Sequence, residues 1–362
     1  MAATITEIAR QAGVSVPAVS RLFKGDKTLR ISKKTHDQIM AVKARLGGVK
    51  RRGAARQAMT YNIAVPANQI FEDHWAKTSL MTPPQLFNPE KYLADNKFLL
   101  NLKSYLEDHK FLLSFNFFDP KAQFAFFENL VNSASYCDGL LLLTGVVDEA
   151  LARLLTDYRF PHVSPDPGAE RFQVNTVCQH ELDGIRQLVQ HLRDLGHQRI
   201  GYLGPKAFRY PFFLNVMATK GLDDAMFLSF TPVFDFLKGQ EDWYHIGHDA
   251  FAHYLRDPHP EVTAFVCHND WTALGAAQAM TERGLVPGRE ISLVGYDDLE
   301  AEMPARFPSP MLTTVASNWE QVGRRCGELL LNQIIHKQTQ IVHERLPVKL
   351  VVRQSSGPCQ TR

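Results

Sequence analysis

The stretch ITEIARQAGVSVPAVSRLF, residues 5–23, holds two short helical patterns separated by a glycine. In the first half Ile5, Ile8, Ala9 and Ala12 recur at helical spacing, which places them on one face. Gly13 follows where a left-handed residue ends such a helix. Ser15 then offers a side-chain oxygen to the free N–H groups of a second helix. Pro17 falls in that helix's first turn, where a missing N–H costs nothing. Val19, Leu22 and Phe23 turn inward, and the small residues Ala9 and Gly13 allow close approach. The pattern predicts a helix-turn-helix whose second helix is free to enter a major groove.

Working outward, Ser32 caps a third predicted helix over 33–46, with Ile39, Val42 and Leu46 apolar and Gly47-Gly48 as its stop. Residues 1–60 carry 13 Lys and Arg against three acids, a net +10, while the rest carries 27 against 35, a net −8. A basic excess confined to one end favours polyanion binding by that end. The segment 47–60 is basic and poor in large apolar residues, so it reads as a linker.

Beyond the linker, predicted strands (61–66, 111–118, 139–143, 199–203, 263–267, 291–295) alternate with predicted helices (97–108, 123–132, 182–195, 271–283, 321–335). This alternation predicts parallel sheets covered by helices on both faces. The segment 74–95 is polar and proline-interrupted, longer than a compact α/β unit needs.

Length and composition suit a soluble protein of two or three domains. No apolar run reaches the ~20 residues of a membrane span. The N-terminus lacks a secretory pattern, and a cytoplasmic location is expected. Cys137, Cys178, Cys267, Cys326 and Cys359 are scattered and never form C-x-x-C, so neither disulfides nor a zinc site is signalled. His245, His248 and His253 lack identifiable carboxylate or thiol partners for a metal. No G-x-S-x-G, P-loop or G-x-G-x-x-G fingerprint occurs, so no catalytic residue, cofactor or metal is expected.

With these residues in view, ITEIARQAGVSVPAVSRLFKG resembles the head of the LacI/GalR family of bacterial regulators. The segments LRDLGHQRIGYLGP, TAFVCHNDWTALGAAQAMTERGL, REISLVGYDDLEAEMPARFPSPMLTTV and GRRCGELLLNQI resemble that family's effector-binding core in order and spacing. The resemblance implies an all-α helix-turn-helix head followed by an α/β core of two doubly wound parallel-sheet lobes, similar to periplasmic sugar-binding proteins. The implied organisation is a head at 1–46, a hinge or linker at 47–60, an N-terminal lobe at 61–162 and 318–344, and a C-terminal lobe at 163–317 and 345–362. The chain would cross between lobes near Val163, Ser317 and Glu344.

The implied activity is that of a DNA-binding transcriptional regulator, a homodimer on a double-stranded operator, controlled by a carbohydrate effector held between the lobes. Val16, Pro17 and Ala18 match the family's base-reading positions. Ser15, Ser20 and Arg21 can reach phosphates or base edges, and for Arg21 a specific base contact and a phosphate contact both stay open. Thr4, Thr6, Lys24, Lys27, Lys33, Lys34 and Thr35 would position the head on phosphates, making affinity fall with salt. In the hinge, Ala58 stands where the family inserts a leucine into the minor groove. Met59 is an alternative wedge, and Arg51, Arg52 and Arg56 are expected to hold the linker by charge.

For the effector, the resemblance nominates Asn269 and Asp270, the latter as acceptor of two ligand hydroxyls. Trp319 would stack on a sugar face. Phe208, Arg209, Tyr296, Asp297, Ser317 and Asn318 are further lining candidates. The family's effector-binding arginine is missing before Gly221. Either Arg209 replaces it or the ligand lacks the group it binds. A solute-binding protein without DNA function, a non-sugar effector and an enzyme on the same core are the competing readings.

Overall fold

The head forms three helices, α1 (Ile5–Gln11), α2 (Val16–Phe23) and α3 (Lys33–Arg45), in a computed structural model that describes residues 5–23, 29–45, 59–68, 97–118, 120–132, 136–143, 146–206, 209–222, 227–229, 241–259, 261–300 and 310–360. Gly13 has φ +63°, and the Val14 N–H returns to the Ala9 carbonyl at 3.0 Å, so the turn uses the left-handed conformation that glycine adopts cheaply. Ser15 Oγ accepts the Ala18 N–H at 3.3 Å and Ser32 Oγ accepts the Thr35 N–H at 3.0 Å, capping α2 and α3. Ile8, Ala9, Ala12, Val19, Ile39 and Val42 form the buried core, with Val14, Leu22, Phe23 and Ile31 packed on it. Leu46, expected on the same face, lies outside the described residues.

The chain divides into two compact units. Unit 1 comprises Met1–Ala67, Lys103–Thr176 and Cys326–His343; unit 2 comprises Asn68–Leu102, Val177–Arg325 and Glu344–Arg362. The chain passes between the units at 67/68, 102/103, 176/177, 325/326 and 343/344, five times where passages near Val163, Ser317 and Glu344 were expected.

Unit 1 carries β1 (Asn62–Asn68), β2 (Leu112–Phe118), β3 (Gly139–Leu141) and β4 (His162–Val163) in the order β2-β1-β3-β4, with β1·β3 and β3·β4 parallel. The helices α4 (Lys97–Asp108), α5 (Gln123–Asn132) and α6 (Glu149–Tyr158) connect them in sequence, and Asp148 caps α6 through the Leu151 N–H. After β5 (Thr176–Gln179), unit 2 repeats the plan. Its strands β6 (Arg199–Gly204), β7 (Phe227–Ser229), β8 (Val262–Cys267) and β9 (Ser292–Val294) run parallel in the order β7-β6-β8-β9. Its helices are α7 (Glu181–Asp194), α8 (Tyr210–Thr219), α9 (Glu241–Tyr254) and α10 (Asp270–Thr281). Along β8, Ala264 and Val266 enter the cluster formed with α7 and α8, while Phe265 and Cys267 enter the cluster formed with α9 and α10. A parallel strand buried on both faces reads as a continuous apolar run for this reason. The chain continues through β10 (Thr314–Ala316), α11 (Trp319–Ile335), β11 (His343–Leu346) and β12 (Lys349–Val351), with β10·β12 and β5·β11 as two-stranded pairs.

The short strands β4, β5, β7 and β10 to β12 and the helices α6, α8 and α9 were not among the expected elements. Two- to four-residue strands are too short to show periodicity, and α8 is apolar around most of its circumference.

Candidate functional site

Two groups of expected residues are placed differently. On the head, Thr6, Ser15, Val16, Pro17, Arg21, Lys33 and Lys34 are exposed, and Ala18, Ser20 and Thr35 are half-buried. Val16 is 38% exposed, the inward face of α2 being supplied by Val19, Leu22 and Phe23. Thr35 Oγ1 also pairs with Ser32 Oγ at 2.8 Å inside the α3 cap. Thr4, Lys24, Lys27, Arg51, Arg52, Arg56 and Ala58, and on unit 2 Phe208, lie outside the described residues, as does the segment 74–95.

In unit 2 the candidates converge beyond the carboxyl ends of β6, β8 and β9. This is where the strand order reverses, the place such sheets bind ligands. Gly295 opens the turn after β9. A Cβ there would lie 2.2 Å from Asp270 Oδ1, so only glycine lets the carboxylate in. Asp270 is 0% exposed; Oδ1 accepts the Thr314 hydroxyl at 2.6 Å and Oδ2 accepts the Leu299 N–H at 2.7 Å. Burial, with the Asp297 and Asp298 charges adding to it, pushes its carboxyl up to about 8 against the two hydrogen bonds. The expectation that Asp270 offers both oxygens to a ligand is therefore corrected: they hold the turn to β10. Asn269, half-buried, caps α10, its Oδ1 accepting the Thr272 N–H and hydroxyl at 2.9 Å each.

Tyr296 is corrected likewise. It is fully buried, and its hydroxyl abuts Gly184, where a Cβ would come within 2.2 Å. No hydrogen-bond partner within normal geometry meets that hydroxyl, and burial together with the nearby Glu181 charge pushes it up. The next residues leave the right-handed regions: φ is +108° at Asp297 and +59° at Asp298. Non-glycine residues rarely adopt such angles, and the surroundings must hold them. They do so through the Asp297 N–H to Val315 O at 2.8 Å and through Arg353 Nη2 to Asp298 Oδ1 at 2.8 Å.

Arg209 joins these elements. Its Nε donates to Glu181 Oε2 at 2.8 Å and its Nη2 to Glu181 Oε1 at 3.3 Å. Nη2 also reaches Asp297 Oδ1 at 2.8 Å, while Nη1 reaches Asp297 Oδ2 at 3.1 Å and the His268 carbonyl at 2.9 Å. The guanidinium lies 3.8 Å over the Tyr296 ring. Ser317 donates to Asp297 Oδ1 at 3.2 Å. His268 is buried, with Nδ1 3.2 Å from the Tyr202 hydroxyl and its ring stacked on Trp243 at 5.0 Å. Burial and the Arg209 charge hold it down at about 3, so it is neutral at physiological pH. Trp319, half-buried, opens α11 and stands edge-on to Phe98 at 6.3 Å, and Asn318 caps that helix through the Gln321 N–H at 3.0 Å.

Glu181, His268, Trp243 and Arg353 were not among the expected site residues. Glu181 shares no motif with Asp297, 116 positions away, and only folding pairs them through Arg209. His268 stood beside the nominated Asn269-Asp270 pair, which was the available signal.

Comparison with known proteins fits both regions. Residues 4–47 match the model of bacterial regulatory proteins, lacI family, and residues 189–356 match the periplasmic binding protein-like domain. The chain is thus similar to LacI-family regulators in its head and to periplasmic binding proteins in its core. The LacI-family repressor MelR of Bacillus subtilis (strain 168) is 26% identical over 371 residues, covering 98% of this chain and 97% of MelR. PurR of Pasteurella multocida (strain Pm70) is 30% identical over 229 residues, 60% of this chain. The chain spans 64% of the length of that PurR, just under two thirds. Among solved structures, a lac repressor dimer bound to operator and the anti-inducer ONPF superposes with a TM-score of 0.62 at 24% identity, covering 99% of this chain and all of that one. A CelR–cellobiose complex superposes with a TM-score of 0.60 at 23% identity over 98% and 99% of the two chains. These likenesses show the fold, a helical head followed by a periplasmic-binding-protein-like core with parallel sheets. Among the described residues no helix is long and apolar enough to cross a membrane, and no His, Cys, Asp and Glu group has the arrangement of a metal site. His248 instead pairs with Asp249 and Glu282 at 2.9 Å each.

Proposed function

We propose that this chain is a sequence-specific DNA-binding transcriptional repressor of the cytoplasm, a homodimer whose operator affinity is set by a small-molecule effector, a sugar, bound at the core. The observation that carries the reading is α2: its first turns present Ser15, Val16, Pro17 and Arg21 to solvent on a helix whose other face is locked into the head's core. A groove-reading helix has this form. Val16 and Pro17 carry no hydrogen-bonding side chain, so readout there is apolar, against thymine methyls, and Arg21 supplies the polar contact. One head buries too little surface for tight specific binding, hence two heads on a near-palindromic site. The linker residues Arg51, Arg52, Arg56 and Ala58 would lie at the operator centre. The domain division at 46, 60, 162, 317 and 344 is part of this proposal.

The sugar class is supported by the CelR–cellobiose neighbour and by the acceptor-rich turn at Asp297 and Ser317. Effector binding changes occupancy only through its difference in affinity between the DNA-competent and incompetent arrangements.

Selection from a randomised duplex pool should return a near-palindromic site, with affinity falling steeply between low and moderate salt. Arg21→Ala should lose binding to that site while thermal melting of the full chain is unchanged. Retained affinity would remove Arg21 from the interface. A melting panel of mono- and disaccharides on the full chain, followed by operator binding with any hit, tests the effector. Unchanged melting with every sugar would sink the sugar class and leave DNA binding standing.

A further inference from the structure

An arginine at a sugar-regulator site invites the reading that it grips an anionic group, a carboxylate or phosphate of the effector. The geometry of Arg209 argues the reverse. A guanidinium has five N–H donors and no more. All five are spent inside unit 2: one and one on the two Glu181 oxygens, one and one on the two Asp297 oxygens, and one on the His268 carbonyl. One face of its plane is taken by the Tyr296 ring. The three side chains are 11 to 13% exposed, so solvent does little to loosen the arrangement.

We infer that Arg209 is a specificity-determining residue that closes this site to acidic ligands, so that the effector is a neutral molecule rich in hydroxyl groups. This rests on the effector-binding reading above. The balance of charge supports it: two carboxylates face one guanidinium, and His268 beside them is neutral, so the cluster is negative by one. Of the other described cations, Arg353 is paired with Asp298, and Lys206 in the loop after β6 has its ammonium 5.0 Å from the Phe227 ring. An anion brought to the cluster meets like charge and no unspent arginine donor, which costs affinity. What the site does offer is lone pairs, on Glu181 and Asp297, oriented by donors that already hold them in place.

A second, independent observation points the same way. Gln179, two residues before Glu181 at the end of β5, is 2% exposed, yet among the described residues neither its amide oxygen nor its amide nitrogen has a hydrogen-bond partner. The buried Tyr296 hydroxyl, beside the Glu181 carboxylate, likewise has no partner in normal hydrogen-bond geometry among those residues. Buried polar groups are seldom left unpaired, because each costs desolvation with no return. A neutral partner carrying both donors and acceptors, or water standing in for it, matches an amide and a hydroxyl. A carboxylate or phosphate, which at neutral pH only accepts, matches the amide nitrogen and the hydroxyl but leaves the amide oxygen without a donor.

The test uses the full chain and matched pairs: glucose against glucuronate and glucose 6-phosphate, ribose against ribose 5-phosphate, cellobiose against its aldonic acid, each by titration calorimetry. The expected result is that within the pair that binds, the acidic member binds at least about tenfold weaker. An acidic member binding as tightly as its neutral partner, or more tightly, overturns the inference. The double variant Glu181→Gln, Asp297→Asn frees Arg209 and should gain binding of the acidic members; no gain also counts against it. If no sugar of either kind binds, Arg209→Ala separates the two ideas. Guanidinium chloride should then raise the melting temperature of Arg209→Ala above that in equal sodium chloride and leave the unaltered chain unaffected. Rescue keeps the self-satisfied cage and discards the sugar class, while absence of rescue discards both.

Discussion

The head and the turn after β9 solve opposite problems with similar numbers of residues. In the head, six buried side chains hold three helices, and the side chains nominated for recognition point away from that core. Around Asp297, the nominated side chains are themselves the structure: Asp270, Tyr296 and Arg209 are buried, and the polar atoms of Asp270 and Arg209 are satisfied by their neighbours. A surface that reads a rigid polymer needs only a scaffold, whereas a site that must discriminate small ligands is built from mutually constrained groups. Substitutions at recognition positions outside the helix caps should therefore be silent for stability in the head and costly in unit 2.

The largest effect is expected at Arg209. Arg209→Ala leaves two little-exposed carboxylates facing each other, and breaking such a pair costs about 3–5 kcal/mol. Urea unfolding of the full chain should show unit 2 melting early, and an unchanged profile would break the contrast with the head. Next comes Gly184→Ala, whose methyl would collide with the Tyr296 hydroxyl; overpacking of this kind costs about 1–3 kcal/mol, and the paired Tyr296→Phe change should recover most of it. In the head, Ser15→Ala removes one cap and should cost about 1 kcal/mol, seen in head helicity and not in the melting of unit 2.

The smallest effect is a dependence on pH. His162, His197 and His268 are each held below the ordinary imidazole range, burial being the first cause in all three, and all three lie outside the head. A histidine kept neutral in the folded chain is protonated more readily when unfolded, so its contribution is intact above the unfolded value near 6.5 and is lost progressively as pH falls below it, for His268 down to about 3. Melting of unit 1, where His162 lies, should fall between pH 7.5 and pH 5.5, whereas in unit 2 the raised Asp270 carboxyl takes up its proton in the folded chain first and offsets the fall from His197 and His268. His268→Gln should raise unit 2 melting at pH 5.5 relative to pH 7.5, and an unaltered slope would remove His268 from this account.

Much of this was readable in advance, and the limit has a physical origin. The α1 and α2 boundaries, the Gly13 turn and the Ser15 and Ser32 caps follow from interactions within four residues, which leave a local trace. The strands β1, β2, β6 and β8 were visible as apolar runs because a parallel strand is buried on both faces. Asn269 and Asp270 could be picked out, but Asp270's partner Thr314 lies 44 positions on, and Arg209's partners lie 28 positions before it and 88 after it. No local pattern distinguishes a carboxylate that holds a turn from one that holds a ligand. The unpartnered Gln179 left no trace either, since its condition is defined by what surrounds it in space.

The interleaving of the two units has a consequence for how the chain is made. Unit 1 includes Cys326–His343, and Gly139 on β3 packs closely against Leu330 and Ile334 of that segment. Ribosomes add about 5–20 residues per second, so roughly 10–30 s pass between synthesis of Thr176 and arrival of the segment that covers this strand. During that interval Gly139 on β3 lacks the Leu330 and Ile334 side chains that pack on it, and the nascent chain offers that apolar surface to chaperones or to its neighbours on the same message. Unit 2 cannot shorten the delay by folding fast, because the missing piece of unit 1 is encoded after residues 177–325, the bulk of unit 2.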